Sequence, residues 1–406
     1  MTPPPDTVAL LREASARHAG GDLARAEALY RQVLARDPRE ANALNLLGVL
    51  HRQRGDLPGA LRLIRRALAL RPEAPVFLAA LGGALAEAGR LEEAADALRA
   101  ALARRPDDAV SLRNLGQALC ALGRPGEALA PLRRAVVLAP RQGEAHLALA
   151  HGLREAGDPA AALEAARAAM ALPGLPEALA RQAGFLLAAL GGAAAPARAP
   201  AAYVRDLFDQ YAPRFAAELT QRLGYRTPEA LAELLRDSGV EAARRLRVLD
   251  LGCGTGLSGL ALAPFAARLE GLDLSPRMLA EAARQGCYDA LHEADLLDFL
   301  PGQGGRHDLI AAADVLNYLG DLAPALRAMR QALRPGGLLA FSVELGEGPE
   351  PFALGPGLRY RHAPDPLRAC CAAAGLLPVA ERGLALRRER DQPVPGLVLL
   401  LRGPAS

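Results

Sequence analysis

The chain has 406 residues, of which 51% are hydrophobic and 23% charged, and this length and balance predict two or three globular domains. The formal net charge of +3 is too small to indicate a nucleic-acid-binding protein, which usually has a strong basic excess. All 48 basic residues are arginine, which excludes a Schiff-base lysine for pyridoxal phosphate and a P-loop lysine for nucleotide phosphates.

Cysteine usage and the apolar pattern indicate the compartment. The five cysteines are scattered and form no C-x-x-C pair, so we expect neither a disulfide framework nor a metal site. The amino terminus lacks a basic start followed by an apolar run, and the longest apolar stretch is interrupted by glycine and proline. We therefore predict a cytoplasmic protein without a membrane span.

Residues 1–190 contain an internal repeat. Residues in four registers recur every 34 positions: Pro38, Pro72, Pro106 and Pro140; Gly21, Gly55, Gly89, Gly123, Gly157 and Gly191; Ala26, Ala60, Ala94, Ala128 and Ala162; Ala14, Gly48, Gly82, Gly116, Ala150 and Gly184. Small residues in the last two registers allow two antiparallel helices to approach closely. The glycine of the second register and the proline of the first register end the helices. This pattern resembles the tetratricopeptide (TPR) family over about residues 7–176. We predict an all-α superhelix of five repeats, followed by a capping helix at 177–190.

The TPR resemblance also implies a binding surface. By analogy with the family, the inward-facing positions of the first helices include Asn45, Arg52, Arg113, Gln117, His151 and Arg154. These residues form either a solvated concave wall or a groove for an acidic peptide of a protein partner, and the sequence leaves both alternatives open.

A different pattern follows the repeats. Residues 191–202 are rich in Gly, Ala and Pro and predict a linker, and residues 203–245 have an apolar helical period. Beyond them, short apolar runs alternate with amphipathic helices, which predicts a mostly parallel α/β sheet. Seven strands are expected, of which the last two form an antiparallel pair: 246–251, 269–272, 288–292, 308–312, 338–343, 378–385 and 396–402.

Two glycine patterns overlap after the first predicted strand. Residues 254–259 fit G-x-G-x-x-G, the dinucleotide loop of NAD-dependent oxidoreductases, but this reading begins two residues after the strand should have turned. Residues 250–256 fit D-x-G-x-G-x-G, which resembles the first motif of class I S-adenosylmethionine-dependent methyltransferases. The second pattern fits better, which makes Gly259 an accidental addition. The resemblance implies a cofactor loop of Gly252, Cys253, Gly254 and Gly256, in which Asp250 neutralises the cofactor ammonium.

Later motifs resemble the same family and cover residues 246–406, a Rossmann-like domain. Asp273, at the end of the second predicted strand, would hold the ribose hydroxyls, and Leu274 and Met278 would flank the adenine. Asp295 and the amide of Leu296 would bind the adenine edge, and Asp314, at the mouth of the fourth predicted strand, is also predicted to bind the cofactor.

The segment at 203–245 resembles the Tyr-Ala-x-x-Phe/Tyr-Asp entry segment of many small-molecule methyltransferases. This implies helices that form a lid and places Tyr211 near the cofactor, although Ala216 stands where the family has Asp. The whole arrangement resembles a bacterial group of predicted TPR-containing methyltransferases.

The sequence thus predicts a methyltransferase that uses S-adenosylmethionine, with a small molecule or a protein as the acceptor. The alternative is a TPR scaffold whose methyltransferase fold binds the cofactor without catalysis. His362 and Tyr318 are the candidates for a general base, since one titrates near neutrality and the other follows the fourth predicted strand. For both residues, simple packing or a surface position is the alternative.

Overall fold

The computed structural model describes residues 5–212, 215–217, 224–389 and 392–405. The chain divides into two compact units, Met1–Leu175 and Pro176–Ser406. Among the described residues, no helix is long and apolar enough to cross a membrane.

The first unit consists of five antiparallel helix pairs, which matches the five predicted repeats. The helices are α1 (Pro5–Ala19), α2 (Leu23–Arg36), α3 (Ala41–Gln53), α4 (Leu57–Leu70), α5 (Pro75–Glu87), α6 (Leu91–Leu102), α7 (Ala109–Ala121), α8 (Pro125–Leu138), α9 (Gly143–Glu155) and α10 (Pro159–Met170). A glycine with positive φ lies in the turn within every pair, from Gly21 (φ 81°) to Gly157 (φ 87°). Asp22, Asp56 and Asp158 then cap the second helix by accepting a backbone N–H.

Close packing within the pairs explains the predicted glycine register. A methyl group on Gly82 of α5 would lie 2.5 Å from Leu98 Cγ of α6, and one on Gly116 of α7 would lie 2.4 Å from Leu132 Cγ of α8. Glycine at these positions therefore permits the helices to approach. For Gly184, in the same register, no described atom beyond its chain neighbours and the backbone of its own helix lies within 4 Å of the position that a methyl group would take, so this argument fails there.

The boundary between the units lies earlier in the chain than the predicted residue 190. Helix α11 (Glu177–Ala189), which we expected to cap the array, belongs to the second unit. The reason is aromatic packing, because the ring of Phe185 lies 5.3 Å from that of Tyr203 and 6.2 Å from that of Tyr360.

The second unit is an α/β fold around one mixed sheet. Its strands are β1 (Leu246–Leu251), β2 (Ala266–Asp273), β3 (Ala290–Glu293), β4 (His307–Ala312), β5 (Leu333–Leu345), β6 (Phe352–Leu354), β7 (Tyr360–His362), β8 (Leu377–Glu389) and β9 (Gln392–Arg402). Its further helices are α12 (Ala201–Tyr211), α13 (Phe215–Ala217), α14 (Thr227–Asp237), α15 (Leu257–Leu262), α16 (Pro276–Arg284), α17 (Leu296–Phe299), α18 (Ala323–Ala332) and α19 (Pro364–Ala373). Short 3-10 helices span Leu300–Gln303 and Leu316–Tyr318.

The sheet contains the seven predicted strands and two more. Strands β3, β2, β1, β4 and β5 are neighbours in this order and run parallel, while β9 pairs antiparallel with both β5 and β8. The two unpredicted strands, β6 and β7, have three residues each and are too short to show an apolar pattern. Glu344 of β5 pairs with Arg361 of β7 and with Gly396 of β9, so these two strands lie on opposite edges of β5.

Side chains alternate between two apolar layers. In β1, Val248 packs into the core on one face of the sheet and Leu249 into the core on the other, and in β4 Leu309 and Ile310 do the same. Strands buried on both faces are typical of parallel sheets covered by helices, and they appear in the sequence as continuous apolar runs.

The predicted linker at 191–202 is only partly a linker. Residues 196–200, which we name the strap, pair with the segment that follows β4. The Ala199 N–H donates to the Tyr318 carbonyl (2.9 Å), and the Tyr360 hydroxyl donates to the Pro196 carbonyl (2.7 Å). Composition alone suggested flexibility, but partners distant in the sequence hold this segment in place.

Candidate active site

A cleft opens beside the carboxyl ends of β1, β2 and β4. The order of the parallel strands reverses between β1 and β4, which is the place where ligands collect on such sheets. The cleft contains about 1240 Å³ of space, part of it open to solvent, and it is lined by residues of the second unit alone.

The glycine loop after β1 forms one wall of the cleft. Gly252, Gly254 and Gly256 all have positive φ, at 61°, 52° and 91°. A methyl group on Gly252 would lie 2.2 Å from Val315 Cγ2, so no larger residue fits there. Gly252, Gly254 and Cys253 line the cleft as predicted, while Gly256 caps α15 behind them.

Asp273 occupies the end of β2 and faces the cleft. Its Oδ2 accepts from the Gly254 N–H (2.9 Å) and its Oδ1 accepts from the Ser275 N–H (2.8 Å). Burial raises the pKa of this carboxyl to about 6, against the lowering effect of these backbone hydrogen bonds. Asp273, the residue predicted to bind the ribose, is thus held in place partly by the backbone of the glycine loop.

Asp250 does not line the cleft, contrary to the prediction that it neutralises the cofactor ammonium. It is fully buried, and its Oδ2 accepts from the hydroxyls of Ser258 (2.6 Å) and Tyr288 (2.7 Å). Burial raises the pKa of Asp250 to about 6, although both hydroxyls act to lower it. The carboxylate therefore ties β1 to α15 and to the segment before β3.

Gly259 has a structural reason to be glycine, which the sequence argument treated as accidental. A methyl group there would lie 2.3 Å from the hydroxyl oxygen of Tyr288. The glycine lets the tyrosine ring lie against α15, and this position brings its hydroxyl to Asp250. The third glycine of the apparent dinucleotide pattern thus serves close helix packing.

The residues predicted to bind the adenine differ in position. Leu274, Asp295 and Leu296 line the cleft, whereas Met278 is fully buried outside its lining. Met278 lies in the first turn of α16, where its backbone N–H donates to the Ser275 hydroxyl (3.0 Å).

Arg198 of the strap forms an ion pair with Asp295, a contact that sequence reasoning missed. Asp295 Oδ1 also accepts from the Leu297 N–H (2.9 Å), so the carboxylate caps α17 as well. No local pattern signals this pairing, because the two residues are 97 positions apart.

The predicted lid falls partly outside the described residues, since 213–214 and 218–223 belong to it. Tyr211, at the end of α12, is half-buried and does not line the cleft, so its predicted place beside the cofactor is not supported. Phe208 and Phe215 line it instead, with their rings 5.7 Å apart.

The opposite wall begins with Asp314, directly after β4. Its backbone has a positive φ of 55°, which is uncommon for a residue other than glycine. Oδ1 accepts from the Ser342 hydroxyl (2.7 Å), Oδ2 accepts from the Thr227 hydroxyl (3.3 Å), and Arg387 Nη1 lies 3.8 Å from Oδ2. Burial raises the pKa of Asp314.

The two candidates for a general base differ in position. His362 lies in β7, outside the cleft lining, and is 3% exposed, with its Nε2 3.2 Å from the Gly320 carbonyl oxygen. Burial lowers its pKa, and its position outside the lining gives no support to a role as general base, which stays a prediction. Tyr318 does line the cleft, and burial raises its pKa.

Three further charged residues complete this wall. Arg359 and Arg387 line the cleft, and Glu344, behind them, is 3% exposed and pairs with both. Neither arginine was predicted from the sequence, because β7 was not predicted and Arg387 lies two residues beyond the end predicted for its strand. Among the described residues, no group of three side chains could hold a metal ion.

The six positions predicted for partner binding in the first unit are not equivalent. Asn45 is 3% exposed, so it belongs to the core and not to a binding wall. Gln117 is exposed, and Arg52 lies 3.6 Å from Glu87. Arg113, His151 and Arg154 are half-buried, and desolvation, with Arg154 nearby, lowers the pKa of His151 to about 4.

Comparison with known proteins assigns both units. A family model described as "Methyltransferase domain" matches residues 249–341, and tetratricopeptide repeat models match residues 11–75, 51–112 and 109–139. The chain is a methyltransferase-domain protein with tetratricopeptide repeats. The methyltransferase domain contains the glycine loop, Asp273, Asp295 and Asp314 in the matched range.

Two curated relatives and one solved structure illustrate the similarity. The ubiquinone biosynthesis O-methyltransferase of Cereibacter sphaeroides is 34% identical over 137 residues, which are 33% of this chain and 55% of the relative. The malonyl-[acyl-carrier protein] O-methyltransferase of Enterobacter lignolyticus is 36% identical over 102 residues, 25% of this chain and 40% of the relative. The S-adenosylmethionine-dependent methyltransferase of Mesorhizobium loti is 26% identical with a TM-score of 0.34, over 43% of this chain and 96% of that one. The chain thus spans about half the length of the curated relatives it matches.

S-Adenosylmethionine is the cofactor of this class of methyltransferase domain, and the cleft residues fit it. The backbone of the loop lines the cleft at Gly252 and Gly254, and Asp273 and Asp295 present carboxylates from the ends of neighbouring strands. Thr255, also in the lining, has a buried hydroxyl without a partner among the described residues. This cleft therefore offers both close backbone approach and polar groups that a ligand can satisfy.

Proposed function

We propose that this protein is an S-adenosylmethionine-dependent O-methyltransferase whose TPR array binds a protein partner. One observation carries the proposal: the glycine loop, Asp273 and Asp295 line one cleft from the ends of three adjacent strands. The methyltransferase match supports the reaction, and both curated relatives described above are named O-methyltransferases. Residence in the cytoplasm stays a prediction from the sequence.

The part of the cleft that contains Asp273 and Asp295 would bind and orient the cofactor. Asp273 can accept hydrogen bonds from two vicinal hydroxyls, as a ribose presents, while its own carboxylate stays fixed by the Gly254 and Ser275 amides. Asp295, held by Arg198 and by the amide of Leu297, retains acceptor capacity for an adenine amino group.

The rest of the cleft positions the acceptor. The cofactor supplies a methyl group already activated on a sulfonium, so the protein's task is alignment and exclusion of water. Val204, Phe208 and Phe215 contribute apolar surface to the cleft, which limits access of water to the reacting atoms. A general base is needed only for an acceptor that arrives protonated.

The test uses an Asp273→Asn variant of the full chain. Calorimetric titration with S-adenosylhomocysteine should show binding at least about tenfold weaker than in the wild type, because one carboxylate oxygen becomes an amide nitrogen. Glu270→Gln removes a charge from the same strand, where Glu270 pairs with Arg268 and does not line the cleft, and it should leave the affinity unchanged.

Three results would contradict the proposal in different ways. Equal affinity in the Asp273→Asn variant would refute the ribose assignment. Strong NAD binding without a response to S-adenosylhomocysteine would favour an oxidoreductase. Binding of the cofactor without transfer of a labelled methyl group to any component of a cell extract would favour the scaffold alternative.

A further inference from the structure

The cleft has further polar residues, which come from other elements than the glycine loop, Asp273 and Asp295. We name this set the acceptor wall. It consists of side chains contributed by the segment after β4, by the residue that precedes β7, and by β8: Asp314, Asn317, Tyr318, Arg359 and Arg387. The cofactor residues follow β1, β2 and β3, so the acceptor wall faces the part of the cleft that remains for the second substrate.

Asn317 presents a buried donor at this wall. Its side chain is 1% exposed, and its Oδ1 accepts from the Glu344 N–H (3.1 Å), which fixes the orientation of the amide. Its Nδ2 has no hydrogen-bond partner among the described residues. A buried N–H without an acceptor is unfavourable, so this position is suited to a ligand that supplies an acceptor oxygen.

Two guanidinium groups stand at the same wall, fixed by carboxylates behind them. Arg359 Nε lies 2.9 Å from Glu344 Oε1, and Arg387 pairs with Glu344 and, through Nε at 2.8 Å, with Glu389. Each guanidinium carries five N–H donors, more than these contacts use. Arg387 Nη1 lies 3.8 Å from Asp314, beyond hydrogen-bond distance. Arg359 also pairs with Glu389 through Nη2, so the carboxylates hold both guanidinium groups in place at the cleft and leave some of their donors for a ligand.

The wall also lacks a well-placed base among the described residues. His362 lies outside the lining, and the Asp314 carboxylate already accepts from Ser342 and Thr227. Tyr318 is hydrogen-bonded to Arg359, and its pKa is raised. An acceptor that is already ionised would need no base.

We propose that the acceptor is a carboxylic acid, bound as its carboxylate by Asn317 Nδ2 and the guanidinium of Arg359, and that the product is its methyl ester. This inference rests on the proposed function. One carboxylate oxygen binds the donors, and the other attacks the methyl carbon in line with the sulfonium. The C–O bond forms as the S–C bond breaks, and sulfur keeps the electron pair. Carboxylate and sulfonium give a neutral ester and a neutral thioether, and no proton is released.

The first experiment measures the alkali lability of the product. The full chain is incubated with methyl-labelled S-adenosylmethionine and an extract of the source organism, and the labelled material is treated with alkali. Methyl esters release labelled methanol, whereas ethers and methylamines do not, so we expect release. Label that is stable to alkali would overturn the carboxylate inference and leave the methyltransferase proposal intact. No labelling at all would overturn both.

Variants then test the acceptor wall. Arg359→Gln should lower ester formation at least about tenfold while its affinity for S-adenosylhomocysteine stays within about twofold of the wild type. The matched control is Arg361→Gln, because Arg361 also pairs with Glu344 (3.8 Å) but is more exposed and does not line the cleft. Equal loss in both variants, or none in Arg359→Gln, would contradict the assignment. If Arg359→Gln loses cofactor binding, Asn317→Asp replaces it, since an aspartate keeps the oxygen that accepts from Glu344 and adds a repelling charge.

A binding measurement gives a readout without turnover. Phenylacetate and phenylacetamide have the same shape and differ in charge, and each is titrated into the full chain saturated with S-adenosylhomocysteine. We expect phenylacetate to bind at least about tenfold more tightly, and Arg359→Gln to remove this preference. The absence of a preference for phenylacetate, whether both compounds bind or neither does, contradicts the inference.

Discussion

Asp250 shows that a residue marked by a sequence motif can also have a structural role. Its motif marks the loop, and its buried side chain accepts hydrogen bonds from Ser258 and Tyr288 without lining the cleft itself. A carboxylate buried among two hydroxyl donors keeps a raised pKa because desolvation outweighs the hydrogen bonds. Its contribution is to hold β1, α15 and Tyr288 together.

This environment predicts a pH dependence of stability. The folded pKa of Asp250 is about 6 and its ordinary value is 3.8, so the folded state binds the proton more tightly than the unfolded state. The ionised group therefore destabilises the fold, and this effect develops as pH rises from 4 through 6. Relative to the wild type, Asp250→Asn should gain free energy of unfolding over this range, by about 3 kcal/mol at most.

Hydrogen exchange of the amides in β1 measures this difference, because it reports the opening of the second unit alone. The comparison is made at pH 4.5 and pH 7 for both proteins. Asp289→Asn is the control, since it removes a charge from an exposed residue before β3 that does not contact Asp250 through a hydrogen bond. A constant difference between wild type and Asp250→Asn across pH would contradict the prediction.

At the scale of elements, the repeat shows that residues at equivalent positions make equivalent contacts. Gly48, Gly82 and Gly116 each face an aliphatic side chain 16 residues later, at Ile64, Leu98 and Leu132. These positions share the period of the repeat, so the same contact recurs in successive helix pairs. Gly184 keeps the register without the contact, because α11 packs into the second unit.

The two kinds of glycine should respond oppositely to alanine. Gly82→Ala should destabilise the array by about 1–3 kcal/mol, because the added methyl group would overlap Leu98 in a packed core. Gly184→Ala, in the middle of a helix with open space beside it, should stabilise its unit by about 0.5–1 kcal/mol. Thermal unfolding of the two variants, followed by circular dichroism, tests this. Destabilisation by both substitutions would show that the position in the repeat, and not the local contact, determines the effect of alanine on stability.

The strap shows that amino-acid composition alone does not predict the structure of a segment. A segment rich in Ala and Pro lacks an apolar period, yet its backbone bonds to Tyr318 and its Arg198 pairs with Asp295. Only the fold brings these partners together, because they lie about a hundred residues further along the chain.

For the whole molecule, the division into two units predicts that the chain can be cut between residues 175 and 176 into two fragments that fold separately. The cleft is lined by residues of the second unit alone, so the fragment 176–406 should bind S-adenosylhomocysteine within about twofold of the full chain. The fragment 191–406, which begins at the boundary expected from the repeats, loses the packing of Phe185 on Tyr203 and Tyr360.

The shorter fragment should therefore melt at a lower temperature, because removing a buried aromatic ring costs about 3–5 kcal/mol. Differential scanning calorimetry of both fragments measures the difference. Equal melting temperatures would show that α11 belongs with the array after all.

The sequence by itself determined the periodic and local features of this protein. The 34-residue period identified five helix pairs, and the alternation of apolar runs located seven of the nine strands, because both depend on contacts between near neighbours. The glycine loop and Asp273 could also be located from the sequence, since a strand end followed by several glycines is compatible with few backbone conformations.

Only the tertiary structure decided where side chains point and which distant residues meet. It placed Asp250 and His362 outside the cleft, assigned α11 to the second unit, and brought Arg359 and Arg387 to one wall with Asn317. Such outcomes depend on packing between segments far apart in the chain, and no local pattern encodes them. The proposed acceptor chemistry rests on this second kind of information.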